Sequence, residues 1–481
     1  MTARPLLLTC LALMFGGCAL QSEPLSEVEL SSYVDDKRSR LTAERLPLTG
    51  ALTLSEALAR ANKYNLDKEI EVMQVLLAEQ QLQVAHFAKL PGLVAGSGFA
   101  DRSNYAGGSS VRLLGPTAVG EESLTSSASS ERQVRTSDIR FSWHILDFGL
   151  SYIRAKQAAD KVLIAEETRR RVVNRIAENV RAAYWRAVAS TRMLRKLATL
   201  ETRVSRALAD SKSIADKGDT SPLTALTYER ELVEIQREIQ KLNGELSNAK
   251  AQLAALVNLD PGKPFEVAVP SRLPPLASSR LAVEAMISTA LTNRSELREV
   301  VYQQRINAKD ADAALLEMLP GLSLDATPSW NSNQFLYNNH WVSWGAQASW
   351  NLIKVFSYPD RRAEVESKDA VLDARALAVM MAIMTQVHVA RARLYHALRE
   401  FRTAEHYHDV QQRILDQIRS AASAGKVSEQ TTIREEMNTL VAIVKRDMAY
   451  AELQSADAAL TASMGILPAE EVARPAMIAA R

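Results

Sequence analysis

The sequence repeats itself at long range. Leu90-Pro91-Gly92-Leu93 returns 229 residues later as Leu319-Pro320-Gly321-Leu322. Trp143, Arg154, Gly218 and Pro261 return as Trp350, Arg361, Gly425 and Pro468, each 207 residues later. A register held this far implies two structural copies of one long unit, and the 481-residue length then says little about domain number. Whatever one copy folds into, the other must fold into as well.

Each copy opens with an amphipathic helix. Thr53-Leu54-Ser55-Glu56 fits a capping box, and Leu54, Ala57, Leu58 and Ala61 follow at helical spacing. In the second copy Ala282-Val283-Glu284-Ala285 begins the helix and Asn293 matches Asn65. That spacing is 228, one less than the 229 of the Pro91/Pro320 pair, and implies a one-residue indel in the helix or its exit. Pro91 and Pro320 forbid continuation of the helix.

Beyond each proline the chain takes on β character. Ile139, Phe141, Trp143 and Ile145 alternate with Asp138, Arg140, Ser142 and His144. Val342, Trp344, Ala346, Ala348 and Trp350 alternate with Ser343, Gly345, Gln347 and Ser349. One apolar and one polar face suits a barrel wall between lipid and water, and equally a half-buried strand of a soluble sheet. In the membrane reading, the lipid-facing residues are Ile139, Phe141, Trp143, Ile145, Val342, Trp344 and Trp350. The intervening loops are polar, from about Asp101 to Thr136 and from Asn331 to His340. Pro91 and Trp143 lie 52 apart, Pro320 and Trp350 only 30, so the first loop is 22 residues longer.

Each hairpin feeds a long helix. Neither Tyr152–Ala215 nor Arg361–Ala424 contains proline or glycine, and each would run on the order of 95 Å. Val173, Ile176, Val180, Ala183 and Ala187 form a heptad seam, as do Leu232, Ile235, Ile239, Leu242, Leu246, Ala249, Leu253 and Leu256 in the return helix. Such seams need neighbouring helices. Gly218-Asp219-Thr220-Ser221-Pro222 and Gly425-Lys426-Val427-Ser428 break the helix pairs into hairpins.

The N-terminus carries Arg4, an apolar run from Leu6 to Phe15, and Gly16-Gly17-Cys18, the layout of a cleaved signal. Its end resembles a bacterial lipobox, which implies that Cys18 is acylated. Ala19 after it implies the outer membrane. The only other cysteine, Cys10, lies inside the signal, so no disulfide within one mature chain is expected. The net charge of +2 gives no electrostatic case for nucleic acid. Ala376–Ala390 is interrupted by polar residues and shorter than the roughly 20 residues a spanning helix needs, and is expected to be a buried helix segment. The histidines are scattered without ligand spacing, and Asp310 and Asp312 sit on a polar helix; neither an enzyme, a metal site nor a cofactor is expected apart from the N-terminal lipid.

The two Leu-Pro-Gly-Leu entries, Trp143-His-Ile-Leu-Asp147-Phe-Gly149, the spaced helix openings and the Gly218 and Gly425 tips, in that order and twice over, resemble the outer-membrane efflux protein (TolC-like) family, of lipoprotein type. The resemblance spans about Leu52 to Pro468 and implies a mainly α chain with membrane β. Three chains, four strands each, would form a twelve-stranded barrel continuing into a periplasmic α-helical barrel. The implied organisation is a signal peptide at 1–17, a lipid-anchored tether at 18–51, a first repeat at 52–258, an equatorial linker at 259–280, a second repeat at 281–468 and a tail at 469–481.

By the same resemblance the chain is a passive exit duct served by an inner-membrane pump. A periplasmic adaptor would dock on Gly218, Asp219, Ser221, Leu223, Gly425, Val427 and Ser428. Gating would involve Glu429, Arg434 and Glu435, but Thr431 and Arg434 stand where relatives carry acids, so an acidic aperture is not carried over. Two other functions compete: the outer-membrane component of type I protein secretion, and a periplasmic coiled-coil adaptor without a pore.

Overall fold

A computed structural model of the chain describes residues 24–43, 48, 50–109, 111–116, 119–122, 125–217, 222–270 and 282–466. The signal, Cys18, Gly218, Asp219, Ser221 and the tail after Pro468 lie outside the described residues. The chain divides into two units, Met1–Ala51 and Leu52–Arg481. Within the first unit, helix α1 (Glu27–Ala43) is exposed from Glu27 to Leu41. A capping box opens it: Ser26 Oγ accepts from the Glu29 amide at 3.2 Å, and Glu29 Oε2 accepts from the Ser26 amide at 2.9 Å.

The second unit begins with α2 (Leu54–Tyr64) and α3 (Leu66–Phe87). The single amphipathic helix expected here is therefore two. Asn65 adopts an extended backbone, ends α2, and accepts from the Lys68 amide at 3.2 Å to start α3. Strands β1 (Gly92–Asp101) and β6 (Gln133–His144) come next, with the long loop between them. That loop is a nested hairpin: β2 (Gly107–Gly108) pairs β5 (Ser127–Ala128), and β3 (Val111–Leu113) pairs β4 (Val119–Glu122). The long helix α4 (Ile145–Lys217) and its return α5 (Pro222–Leu256) complete the first copy.

The second copy runs α6 (Val283–Asn293), α7 (Ser295–Leu316), β7 (Gly321–Asn331), β8 (His340–Ser349), α8 (Leu352–Ser423) and α9 (Glu429–Ser463). The one-residue indel is not there. The starts of α6 and α7 follow those of α2 and α3 by 229 (283 against 54, 295 against 66), the same offset as the prolines. Arg294, not Asn293, takes the place of Asn65 between the helices. Starts and ends of α9 follow those of α5 by 207 (429 against 222, 463 against 256).

Long helices α4 and α9 pack side by side, with α5 on the other flank of α4 and α8 on the other flank of α9. The upper helices α3 and α7 both lie on α4, and α7 also on α8. The seam buries as its heptads require: Ile176, Val180, Ala183 and Ala187 on α4, and Ile383, Val387, Ala390 and Leu394 on α8, pairwise 207 apart. Farther along, Leu197, Leu200 and Val204 of α4 meet Leu232 and Ile239 of α5 and Ile433 and Met437 of α9 in one apolar cluster.

Ala376–Ala390 is not the buried segment that the sequence suggested. It lies in α8, the one described helix long and apolar enough to cross a membrane, and that stretch is mostly exposed. Only the seam face is covered, because within one chain α8 has partners on that side alone; Leu377 and Met381 stay 63% exposed.

Candidate functional site

The four long strands form one antiparallel sheet in the order β1-β6-β7-β8. Directly opposed residues of an antiparallel sheet share a face, so the pairing fixes what each face carries. Leu93 lies opposite Phe141 and Ala95 opposite Ile139; Trp143 lies opposite Leu324, Phe141 opposite Ala326, Pro328 opposite Val342 and Ala326 opposite Trp344. Extended by alternation, one face carries Leu93, Phe99, Ile139, Phe141, Trp143, Leu322, Leu324, Trp330, Val342 and Trp344, with Arg135 and His340 joining it at the loop end, opposite Phe99 and Trp330. In the single chain this face is open: Trp344 is 80% exposed and Val342 50%.

The other face carries Asp138, Arg140, Ser142, Ser323, Asp325, Ser329, Ser343 and Gln347 among glycines and other small residues, with Val94, Val134 and Trp341 as its large apolar members. Its carboxylates lie flat against the neighbouring strand. A Cβ on Gly96 would sit 2.8 Å from Asp138 Oδ1, and one on Gly345 would collide with Asp325. Glycine at both positions makes room for these acids and keeps that face thin.

Two of the expected strand residues fall elsewhere. Ile145 is the first residue of α4 and Trp350 lies just past β8. The alternation continues through both, but the helical hydrogen bonds of α4 and the Asn351 cap on α8 take over the backbone there. Trp350 instead donates Nε1–H to the Met318 carbonyl at 2.9 Å, tying the end of β8 to the residues before β7. Trp143 packs edge-on to Phe148. At the opposite end of the sheet, the loop between β7 and β8 clasps the long loop through buried Asn333, which accepts from the Glu131 amide at 3.1 Å and donates to the Ser129 carbonyl at 3.0 Å. That clasp carried no sequence signal.

At the helix tips, Leu223 stands 75% exposed in the first turn of α5. Gly425, at φ +68°, closes α8 in a Schellman turn, its amide bonding the Ala422 carbonyl and the Lys426 amide the Ala421 carbonyl. Val427 is half-buried, and Ser428 caps α9 by accepting from the Thr431 amide at 3.3 Å. The expected gating residues meet other helices of the same chain. Glu429 is exposed. Arg434 pairs with Glu231 of α5, and Glu435 accepts from Gln411 of α8 at 2.7 Å. Glu436 pairs with Arg203 of α4 and with Arg419 of α8, the latter at 3.1 Å. Three consecutive residues of α9 thus grip all three of the other long helices.

Where upper helices meet return helices, the copies use the same joint. Asn65 Nδ2 donates to the Leu256 carbonyl at 3.1 Å, and Arg294 Nη1 donates to the Ser463 carbonyl at 3.3 Å. The linker after α5 runs against α4: Val267 bridges Leu52, Tyr184 donates to the Ala268 carbonyl at 2.8 Å, and Arg192 to the Pro270 carbonyl at 3.0 Å. Trp185 packs edge-on to Tyr450 and Phe401 tilts against the same ring, and burial pushes the Tyr450 phenol up to about 12. Among the described residues no cluster of three or more His, Cys, Asp or Glu could hold a metal ion.

No protein-family model and no curated protein sequence matches the chain. Solved structures do. The Campylobacter jejuni outer-membrane channel CmeC is 12% identical, with 93% of this chain and 94% of CmeC covered at a TM-score of 0.65. CusC, solved in studies of transmembrane channel formation, is 18% identical, with 88% and 96% covered at 0.64. The outer-membrane channel OprN is 13% identical, with 86% and 89% covered at 0.63. Helical hairpins beneath a four-stranded sheet, duplicated within one chain, are here the TolC-like fold of outer-membrane efflux channels.

Proposed function

We propose that three copies of this chain form an outer-membrane duct that passively conducts small molecules, drugs among them, out of the cell. The observation that carries this reading is the four-stranded sheet with one apolar face, one polar face and two unpaired edges, β1 and β8. Four strands cannot enclose a channel, whereas three such sheets edge to edge make twelve strands and leave no edge. The apolar face then meets lipid and the polar face lines the lumen. A soluble sheet would bury its apolar face under its own helices, and here that face is bare.

The helices below give the duct its periplasmic extension. The tips at Leu223, Gly425, Val427 and Ser428, with Gly218, Asp219 and Ser221, are where a periplasmic adaptor docks, and an inner-membrane pump supplies the energy. Acylated Cys18 anchors the N-terminus to the outer membrane. Glu429, Arg434 and Glu435 stand at the entrance, where opening must separate the helices that Arg434, Glu435 and Glu436 join.

Purified protein in a planar bilayer tests the pore. Discrete, long-lived conductance from trimers is expected, and a monomer that leaves the bilayer silent overturns the reading. Deleting the gene tests the cargo. Raised susceptibility to a drug panel supports small-molecule export, while unchanged susceptibility with one protein missing from the medium assigns type I secretion instead.

A further inference from the structure

The two helix joints differ in charge. The Asn65 joint is closed by a neutral side chain, and the small cavity beside it, about 20 Å³, is lined by apolar residues such as Leu58, Val173 and Ile176 with Lys68 as the one charged residue. The Arg294 joint opens instead into a cavity of about 530 Å³ between α4, α7, α8 and α9. Four arginines line it, Arg171, Arg175, Arg294 and Arg393, against two carboxylates, Glu178 and Glu296. Capping of the Ser463 carbonyl occupies Arg294 alone, and Arg171, Arg175 and Arg393 take no part in it.

Some of this charge is satisfied. Arg294 grips Glu296 through two hydrogen bonds of 2.7 and 2.9 Å and donates to Gln386 at 2.8 Å; Arg171 pairs with Glu299 at 3.1 Å. The Glu296 carboxyl is pushed up by burial, but the Arg294 bonds outweigh this and hold it below the usual range. Arg175 and Arg393 form no ion pair with a described carboxylate. Glu178 lines the same cavity, and burial keeps its carboxyl above the usual range despite Arg294 and Arg393. Four arginines thus face the two lining carboxylates and Glu299, which leaves an excess of one positive charge in a space of ordinary ligand size.

We propose that this cavity binds a small multivalent oxyanion, a solute bearing phosphate or several carboxylates. Guanidinium groups present paired donors that match such oxygens, and Arg175 on α4 and Arg393 on α8 approach the cavity from different helices. A bound anion bridges those helices at the level where upper and return helices join. The site lies within one chain, so the inference stands independently of the export reading.

The test uses the purified full-length protein and three probes, inorganic phosphate, pyrophosphate and citrate, with chloride at matched ionic strength as the control. Saturable binding by calorimetry and a raised melting temperature are expected with at least one multivalent probe and not with chloride. Arg175→Gln and Arg393→Gln each weaken binding about tenfold or more, and Glu178→Gln, which removes the opposing charge, tightens it. No saturable binding to any probe overturns the proposal. So does binding that survives both arginine substitutions, which marks adventitious surface charge, or binding that weakens in Glu178→Gln.

Discussion

The left-handed residue that ends each return helix shows how far a single position is constrained. Asn258, at φ +52°, follows α5, and Gly465, at φ +68°, follows α9, again 207 apart. Both close Schellman-type turns, with Leu259 bonding the Ala254 carbonyl and Ile466 the Thr461 carbonyl. The surroundings differ: a Cβ on Gly465 would stand 2.9 Å from the backbone carbon of Asn293, while one on Gly425 meets nothing within 4 Å. Gly425→Ala should therefore cost only the left-handed strain, about 1–2 kcal/mol. Gly465→Ala should cost clearly more, since backbone cannot yield as a side chain can. Thermal melts of the two variants check this; equal losses would show that the α9 end does not press on the joint. Charge at the same joint gives a pH signature. A carboxyl raised in the folded state, like Glu178, opposes folding once ionised, and that cost vanishes as pH falls through the folded value to the ordinary 4.5. In phosphate-free buffer, Glu178→Gln should melt higher than wild type at pH 8, with the gap closing towards pH 4.5. A gap independent of pH would assign the effect to packing.

Among elements, the strands were legible and their limits were not. Period-2 alternation placed Ile139, Phe141, Trp143, Val342 and Trp344 on one face, where the register puts them. It also ran on into Ile145 and Trp350, because alternation reports side-chain polarity and not backbone pairing, and α4 begins at Ile145 and α8 two residues after Trp350. The break at Asn65 was hidden for a related reason: apolar spacing continues across it, and only the side-chain cap marks the change. A substitution pair tests the faces. Trp344→Asp places a carboxylate on the apolar face and should block insertion and leave little trimer in membrane fractions, whereas Ser343→Asp, one residue away on the polar face, should assemble normally. Equal assembly would mean that no lipid covers the Trp344 face. The grip of α9 on its neighbours makes a second case. Glu436, 14% exposed, sits between Arg203 and Arg419, so Glu436→Ala leaves two guanidinium groups without their acid and should cost about 1–3 kcal/mol. Faster amide exchange confined to the tip half of α9 is the expected readout; no change in exchange would show that the apolar cluster around Ile433 alone holds the tip.

At the scale of the whole molecule the question is what covers the surface that one chain leaves bare. The exposed stretch of α8 could suit a membrane by composition, but its place in the fold argues otherwise. Ala376 lies 24 residues into α8 (376 against 352), about 36 Å from the end of the sheet. A hydrocarbon core is about 30 Å thick, so a membrane spanned by the sheet cannot also hold this stretch. Water is no better a neighbour for Leu377 and Met381, which are four apart on the face turned away from the seam. In the trimer proposed above, a second copy would cover both this face and the open edges β1 and β8, repeating between chains the packing that buries Ile383 and Val387 within one. The sequence pointed to neighbours for its seams without saying which lay in the same chain, because one chain's heptads look alike whether their partner is covalently linked or not. Replacing Leu377 and Met381 together by glutamate should leave the helical content of the chain unchanged and shift trimers towards monomers in light scattering. Trimers of unchanged stability in the double variant would place this face in solvent and leave the strand edges as the only contacts that hold three copies together.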